Sequence, residues 1–165
     1  MKKTILITSL LATLISGTAL ANTSNNSSAT SPCFSNGMYA GVQTGGMLGL
    51  GLLPMVGAKI GYQFNPHFAI EASANTPLIF AGSITMVNVN AQVFIPTQSQ
   101  NLRLYVKAGP TLLDADLFGF KAHSVRASVG AGIQYAISSH VSLDADYTNT
   151  DLIANQVSGG VTYHF

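Results

Sequence analysis

The chain has 165 residues, 47% of them hydrophobic and only 8% charged, with a formal net charge of +1. A typical soluble domain carries about 25% charged residues, and this chain offers no basic stripe of the kind nucleic acid requires. Its single cysteine, Cys33, excludes an intramolecular disulfide framework.

Met1-Lys2-Lys3 is a positive start, Ile5 to Ile15 is apolar, and Ala19-Leu20-Ala21 is a small-residue cleavage pattern. Residues 1–21 are therefore expected to be a removed secretory signal peptide, since the apolar run falls short of the roughly 20 residues a spanning helix needs. Removing Lys2 and Lys3 leaves five basic residues against six acidic. Residues 22–37, opening on Asn22-Thr23-Ser24-Asn25-Asn26-Ser27-Ser28, are expected to be a disordered tether in the periplasm. Cys33 follows Ala29-Thr30-Ser31-Pro32 rather than an apolar lipobox, so the tether is expected to carry a free or intermolecularly paired thiol.

From Met38 the pattern has period two, the spacing of a strand with one apolar face. Met38, Ala40 and Val42 oppose Tyr39, Gly41 and Gln43. A second strand, about 55–64, sets Val56, Ala58, Ile60, Tyr62 and Phe64 against Gly57, Lys59, Gly61 and Gln63, and Asn65-Pro66-His67 is a turn. A third, about 68–75, sets Ile70, Ala72 and Ala74 against Glu71, Ser73 and Asn75; a fourth, about 85–95, sets Val87, Val89, Ala91 and Val93 against Asn88, Asn90 and Gln92. The fifth, about 102–112, carries Arg103, Tyr105 and Lys107 on its polar face, and the sixth, about 124–137, carries Arg126, Ser128, Gly130, Gly132 and Gln134. The seventh, about 141–149, places Ser142, Asp144 and Asp146 opposite Val141, Leu143, Ala145 and Tyr147. The eighth starts near Asn155 and finishes with Gly159, Val161, Tyr163 and Phe165 on one face and Ser158, Gly160, Thr162 and His164 on the other.

After residue 21 no run of 18 apolar residues occurs, and the greasiest stretch, Met47 to Ala58, is interrupted by Gly49, Gly51, Pro54 and Gly57. An exported, charge-poor chain without a spanning helix has a closed barrel as its membrane architecture, because only closure pairs every backbone group. The expected fold is all-β: an eight-stranded antiparallel up-and-down transmembrane β-barrel over residues 38–165. Short polar connections follow the even strands, which puts both termini in the periplasm, with Tyr62, Phe64, Phe68, Tyr135, Tyr163 and Phe165 gathered in an aromatic girdle at that end.

Period two alone leaves open whether the apolar face looks outward to lipid or inward to a ligand, as in a soluble lipocalin-like barrel. The charges favour lipid. Lys59, Glu71, Arg103, Lys107, Arg126, Asp144 and Asp146 all fall on the polar face, and the remaining Asp114, Asp116, Lys121 and Asp151 fall in predicted loops. A soluble wall with only seven charges would be poorly solvated.

The Gly-rich strand Val129-Gly130-Ala131-Gly132-Ile133-Gln134-Tyr135, the strand Leu143-Asp144-Ala145-Asp146-Tyr147 and the ending Tyr163-His164-Phe165 resemble those of the small eight-stranded outer-membrane barrels of OmpA transmembrane domain, OmpX and opacity-protein type. The resemblance spans about Met38 to Phe165 and implies residence in the Gram-negative outer membrane. It also implies that Ser158, Gly160, Tyr163 and Phe165 form the C-terminal insertion signal read by the barrel-assembly machinery.

The seven strand charges are expected to form a lumen network, with Lys59 and Glu71 as diagonal neighbours on paired strands. One reading is a packed plug; the other is a narrow ion or small-solute channel lined by the same charges. Catalysis has little support. His140-Val141-Ser142 is similar to the His-x-Ser of lipid A deacylases, but no Asn follows Ser142, His140 falls in a predicted periplasmic turn and Ser142 is expected to face the lumen. Asp114-Ala115-Asp116 supplies too few oxygens for calcium, and neither cofactor nor metal is expected. Leu48 to Leu53, Pro77-Leu78-Ile79-Phe80 and Leu117-Phe118-Gly119-Phe120 are apolar where the family has polar loops. Extended strands dipping into the outer leaflet, or a surface for a host or cell-surface partner, both follow from that. The role expected is that of a monomeric structural or surface-interaction protein, adhesin- or opacity-like, in contact with outer-membrane lipid.

Overall fold

The computed structural model describes residues 34–48, 52–78, 83–117, 120–150 and 154–165. Eight strands follow one another: β1 (Gly37–Leu48), β2 (Leu52–Asn65), β3 (Phe68–Pro77), β4 (Ser83–Pro96), β5 (Leu102–Leu117), β6 (Phe120–Ala136), β7 (Val141–Thr150) and β8 (Ala154–His164). Each pairs antiparallel with the next, and β8 returns to β1, with Ala40 opposite Tyr163 and Val42 opposite Val161, to close the barrel. Residues 1–33, which hold the expected signal peptide, Cys33 and most of the expected tether, lie outside the described residues, as do Phe118, Gly119 and parts of the other apolar connections.

The two faces are sorted inside out relative to a water-soluble protein. Val42, Val89, Val106, Val129, Ile133, Val157 and Val161 are exposed on the outer wall, while Gln43, Asn75, Asn88, Asn90, Gln92, Gln134 and Gln156 are buried within. Hydrocarbon on the outside makes this the favourable arrangement, and the polar groups inside find partners in one another rather than in water. Among the described residues, apolar side chains cluster in the interior as Tyr39, Ala69, Phe94 and Tyr105, and as Phe34 with Ala136, and Met55 and Met86 are also buried.

One end of the barrel is finished by tight turns. Asn65 Oδ1 accepts the His67 N–H at 2.8 Å, and the register of β2 on β3 shifts between Gln63 and Asn65. The strand therefore runs one residue farther than the three-residue turn expected at 65–67. The shift still brings the Phe64 ring to 5.7 Å from Phe68 and 4.9 Å from Tyr62. The Tyr163 ring stands 5.1 Å from Phe165 and stacks on His140 at 5.8 Å. These rings form two clusters at the turn end, one on β2 and β3 and one on β7 and β8, at the height where aromatic side chains favour a membrane interface.

The other end is uneven. β5 and β6 continue past the expected limits of 112 and 124, pairing through Asp114 opposite His123 to Leu117 opposite Phe120. β4 accompanies β5 as far as Ser83 opposite Asp116, whereas β7 leaves β6 at Thr150 opposite Ser128.

Candidate functional site

Two ion pairs stand in the lumen among the described residues. Lys59 Nζ meets Asp144 Oδ2 at 2.5 Å, and Lys107 Nζ donates to Asp146 Oδ1 at 2.8 Å. All four residues are at least 92% shielded from solvent. Asp146 also accepts from the hydroxyls of Ser158 (3.0 Å), Thr148 (3.2 Å) and Tyr105 (3.2 Å), and Asp144 accepts from Thr162 at 2.8 Å. A buried carboxylate is tolerable only when cations and hydroxyls replace its lost hydration, and these two are so supplied.

The expected neighbour of Lys59 is not its partner. Gly61 is opposite Glu71, so Lys59 and Glu71 are diagonal in register, yet the ammonium reaches across the lumen to β7. Glu71 instead has the Tyr39 hydroxyl 3.3 Å from Oε2; that hydroxyl is equally 3.3 Å from Gln92 Oε1. Arg103 donates to Gln134 Oε1 from Nε (2.8 Å) and Nη2 (2.6 Å), and to Gln63 Oε1 from Nη1 at 3.0 Å. Arg126 departs from the expected network. Its position has lumen parity, but it is exposed above the packed layers, with Nε donating to Ser124 Oγ at 2.8 Å. Parity assigns a face, whereas height along the barrel decides burial.

Glycines make room for the large inward side chains. Tyr39 lies across Gly61 on β2, and Tyr105 across Gly132 on β6; a Cβ at either glycine would run into the phenol ring. Aromatic cover of a strand glycine restores the packing that the glycine lacks. Toward the uneven end the network turns neutral: Gln43 Nε2 donates to Asn75 Oδ1 (2.6 Å), Thr111 to Asn88 Oδ1 (2.6 Å) and Ser128 to Asn90 Oδ1 (3.1 Å). Met55 on β2 and Met86 on β4 are both 1% exposed. Their inward side chains were not anticipated, although each has the parity of its strand's polar face.

Ser142 does meet a histidine, but it is His164: Nε2 lies 3.0 Å from Ser142 Oγ, which also accepts from Gln134 Nε2 at 2.8 Å. Ser142 is 0% exposed. His140 lies outside in the turn, with Nδ1 2.8 Å from Ser139 Oγ. In the final strand, Ser158 and Gly160 face the lumen, Ser158 on Asp146 and Gly160 beside Asp144, while Tyr163 and Phe165 face out.

The uneven end leaves a second feature. Beyond Ser128, no described residue pairs with Phe120–Ala127 on the β7 side, and residues 151–153, next along the chain from β7, lie outside the described residues. Asp114 and His123, on the outward face of this hairpin, lie 3.4 Å apart and are both exposed.

A family model for the outer membrane protein beta-barrel domain matches residues 7–165. No curated protein matches the chain. Among solved structures, the N-terminal β-barrel domain of Pseudomonas aeruginosa OprF is similar with a TM-score of 0.67 at 17% identity, covering 79% of this chain and 100% of that one. Neisserial surface protein A gives 0.53 at 21% identity over 78% and 96% of the two chains. Ail, the attachment invasion locus protein of Yersinia pestis, gives 0.52 at 19% identity over 79% and 97%. At these identities the likeness is one of fold.

Proposed function

The chain belongs to the outer membrane protein beta-barrel family, and within it we propose a structural, surface-interaction role: a monomeric, plugged barrel that offers the edge of β6 to an extended segment of an outside protein. Export by residues 1–21 and insertion through the C-terminal strand by the assembly machinery would place the tight turns in the periplasm and the long β5–β6 hairpin outside. The lumen network supports a plug over a channel, since two shielded ion pairs and a chain of amides occupy the path an ion would take. A catalytic role finds no support in Ser142, whose hydroxyl is engaged by Gln134 and His164 where no ester can reach it.

The edge of β6 carries the proposal. Ala136 directs its N–H to Asn101, on the β5 side, and Ile137 directs its own to Val141. Alternation then turns the N–H and C=O groups of His123, Val125 and Ala127 toward the side that β7 has left. Unpaired strand edges recruit strands, and main-chain pairing is a general way to bind an extended peptide. Ail is known in complex with the heparin analogue sucrose octasulfate. Here Lys59, Arg103 and Lys107 are buried, which leaves few cations for a sulfated ligand and favours a protein partner.

The test is adhesion of bacteria expressing the protein. Val125→Pro deletes one edge N–H without touching the β5 ladder and is expected to abolish adhesion, while Val125→Thr keeps it. Equal adhesion by both variants, each showing the heat-modifiable gel band of a folded barrel, refutes the edge as the binding surface.

A further inference from the structure

Phe34 is 3% exposed, while Ser35 and Asn36, which follow it ahead of β1, stand in solvent. Its ring centroid is 4.0 Å from the Arg103 guanidinium carbon, and the same carbon is 3.6 Å from the Phe94 centroid. His164 meets the Phe34 ring edge-on at 6.3 Å, Gln63 Nε2 donates to the Phe34 carbonyl at 3.0 Å, and Ala136 packs beside it. Gly37 makes the turn that delivers the ring. Its φ of +150° is strained for other residues, and a Cβ there would come within 3.3 Å of the Phe165 carbonyl oxygen. The seat is therefore built from β2, β4, β5, β6 and β8, all at the end with the tight turns.

We propose that Phe34 is a removable seal: its ring closes the periplasmic mouth by seating against Arg103, and its release opens the inner end of the lumen to water. Nothing in the barrel wall has to break for the ring to leave, because Phe34 takes no part in a strand ladder. A cavity of about 530 Å³ lies against the seat, lined by Phe34, His67, Phe94, Gln98, Leu102 and Arg103 among others, and gives the ring space to move into. On release, Arg103, Gln63 and the His164–Ser142 pair become the first groups to meet the periplasm. This inference is independent of the β6 edge, which lies at the opposite end.

The chain's two arginines make the test internal to one sample. Arg126, exposed at the outer mouth, is the reference for labelling of the folded full chain with phenylglyoxal, read by mass spectrometry. In the wild type Arg103 is expected to label about thirtyfold more slowly than Arg126, the scale set by a desolvated cation–π contact. Phe34→Ser should speed Arg103 labelling several-fold, still short of the Arg126 rate because Phe94 and Gln134 continue to hold the guanidinium, and Phe34→Tyr should restore protection, with the heat-modifiable gel band of each variant confirming a folded barrel. Arg103 labelling as fast in the wild type as in Phe34→Ser, or staying unlabelled in both, overturns the seal.

Discussion

Replacing Lys107 by methionine keeps the length of the side chain and removes the cation that sits 2.8 Å from Asp146. At that distance and an effective dielectric constant of about 20, the attraction is about 6 kcal/mol before desolvation is counted. Ser158, Thr148 and Tyr105 continue to donate to the carboxylate, so only part of this is lost. The expected cost of Lys107→Met is about 3–5 kcal/mol, the usual range when a buried pair loses one member. Asp146→Asn, which strands the ammonium, should cost a similar amount. The double variant leaves no orphan charge, and its amide oxygen can still accept from the three hydroxyls, so about 1–2 kcal/mol is expected. Equilibrium unfolding in urea from lipid vesicles, followed by far-UV circular dichroism, gives all four corners of the cycle. Single-variant costs that simply add in the double variant, within about 0.5 kcal/mol, would refute the claim that the two charges depend on each other.

Gly132→Ala should lower stability by about 1–3 kcal/mol, because the new methyl enters the space of the Tyr105 ring; adding Tyr105→Ala should remove most of the extra penalty, visible as a partial return of the urea midpoint. Phe165→Ala deletes an outward ring packed 5.1 Å from Tyr163, and should reduce recovery of heat-modifiable protein from the outer-membrane fraction while unfolded chain accumulates in the periplasm. Unchanged recovery would separate this residue from any insertion signal.

Much of the barrel is legible in the chain because each strand has only two faces and a bilayer treats them oppositely. The alternation of Val129, Ala131 and Ile133 with Gly130, Gly132 and Gln134 states which side meets hydrocarbon, and the closed order of strands follows from short connections. Contacts across the lumen are another matter. Register along the wall puts Lys59 next to Glu71, but the partner it takes is Asp144, three strands away around the ring, and no local spacing encodes that distance. Arg126 shows a related gap, since period two carries no information on height. Phe34 escaped for the opposite reason. A single aromatic in a polar segment has no period, and only the folded mouth reveals the seat that receives it.

The final strand supplies Ser158 to Asp146 and Thr162 to Asp144 while also pairing with β1. An unfinished sheet of seven strands would hold both carboxylates short of donors and two bare edges in an apolar solvent, so it has no stable resting form. Closure is then all-or-none: a chain truncated before β8 is expected to stay with periplasmic chaperones and be degraded rather than persist as an open sheet, a form of quality control that requires no dedicated inspector.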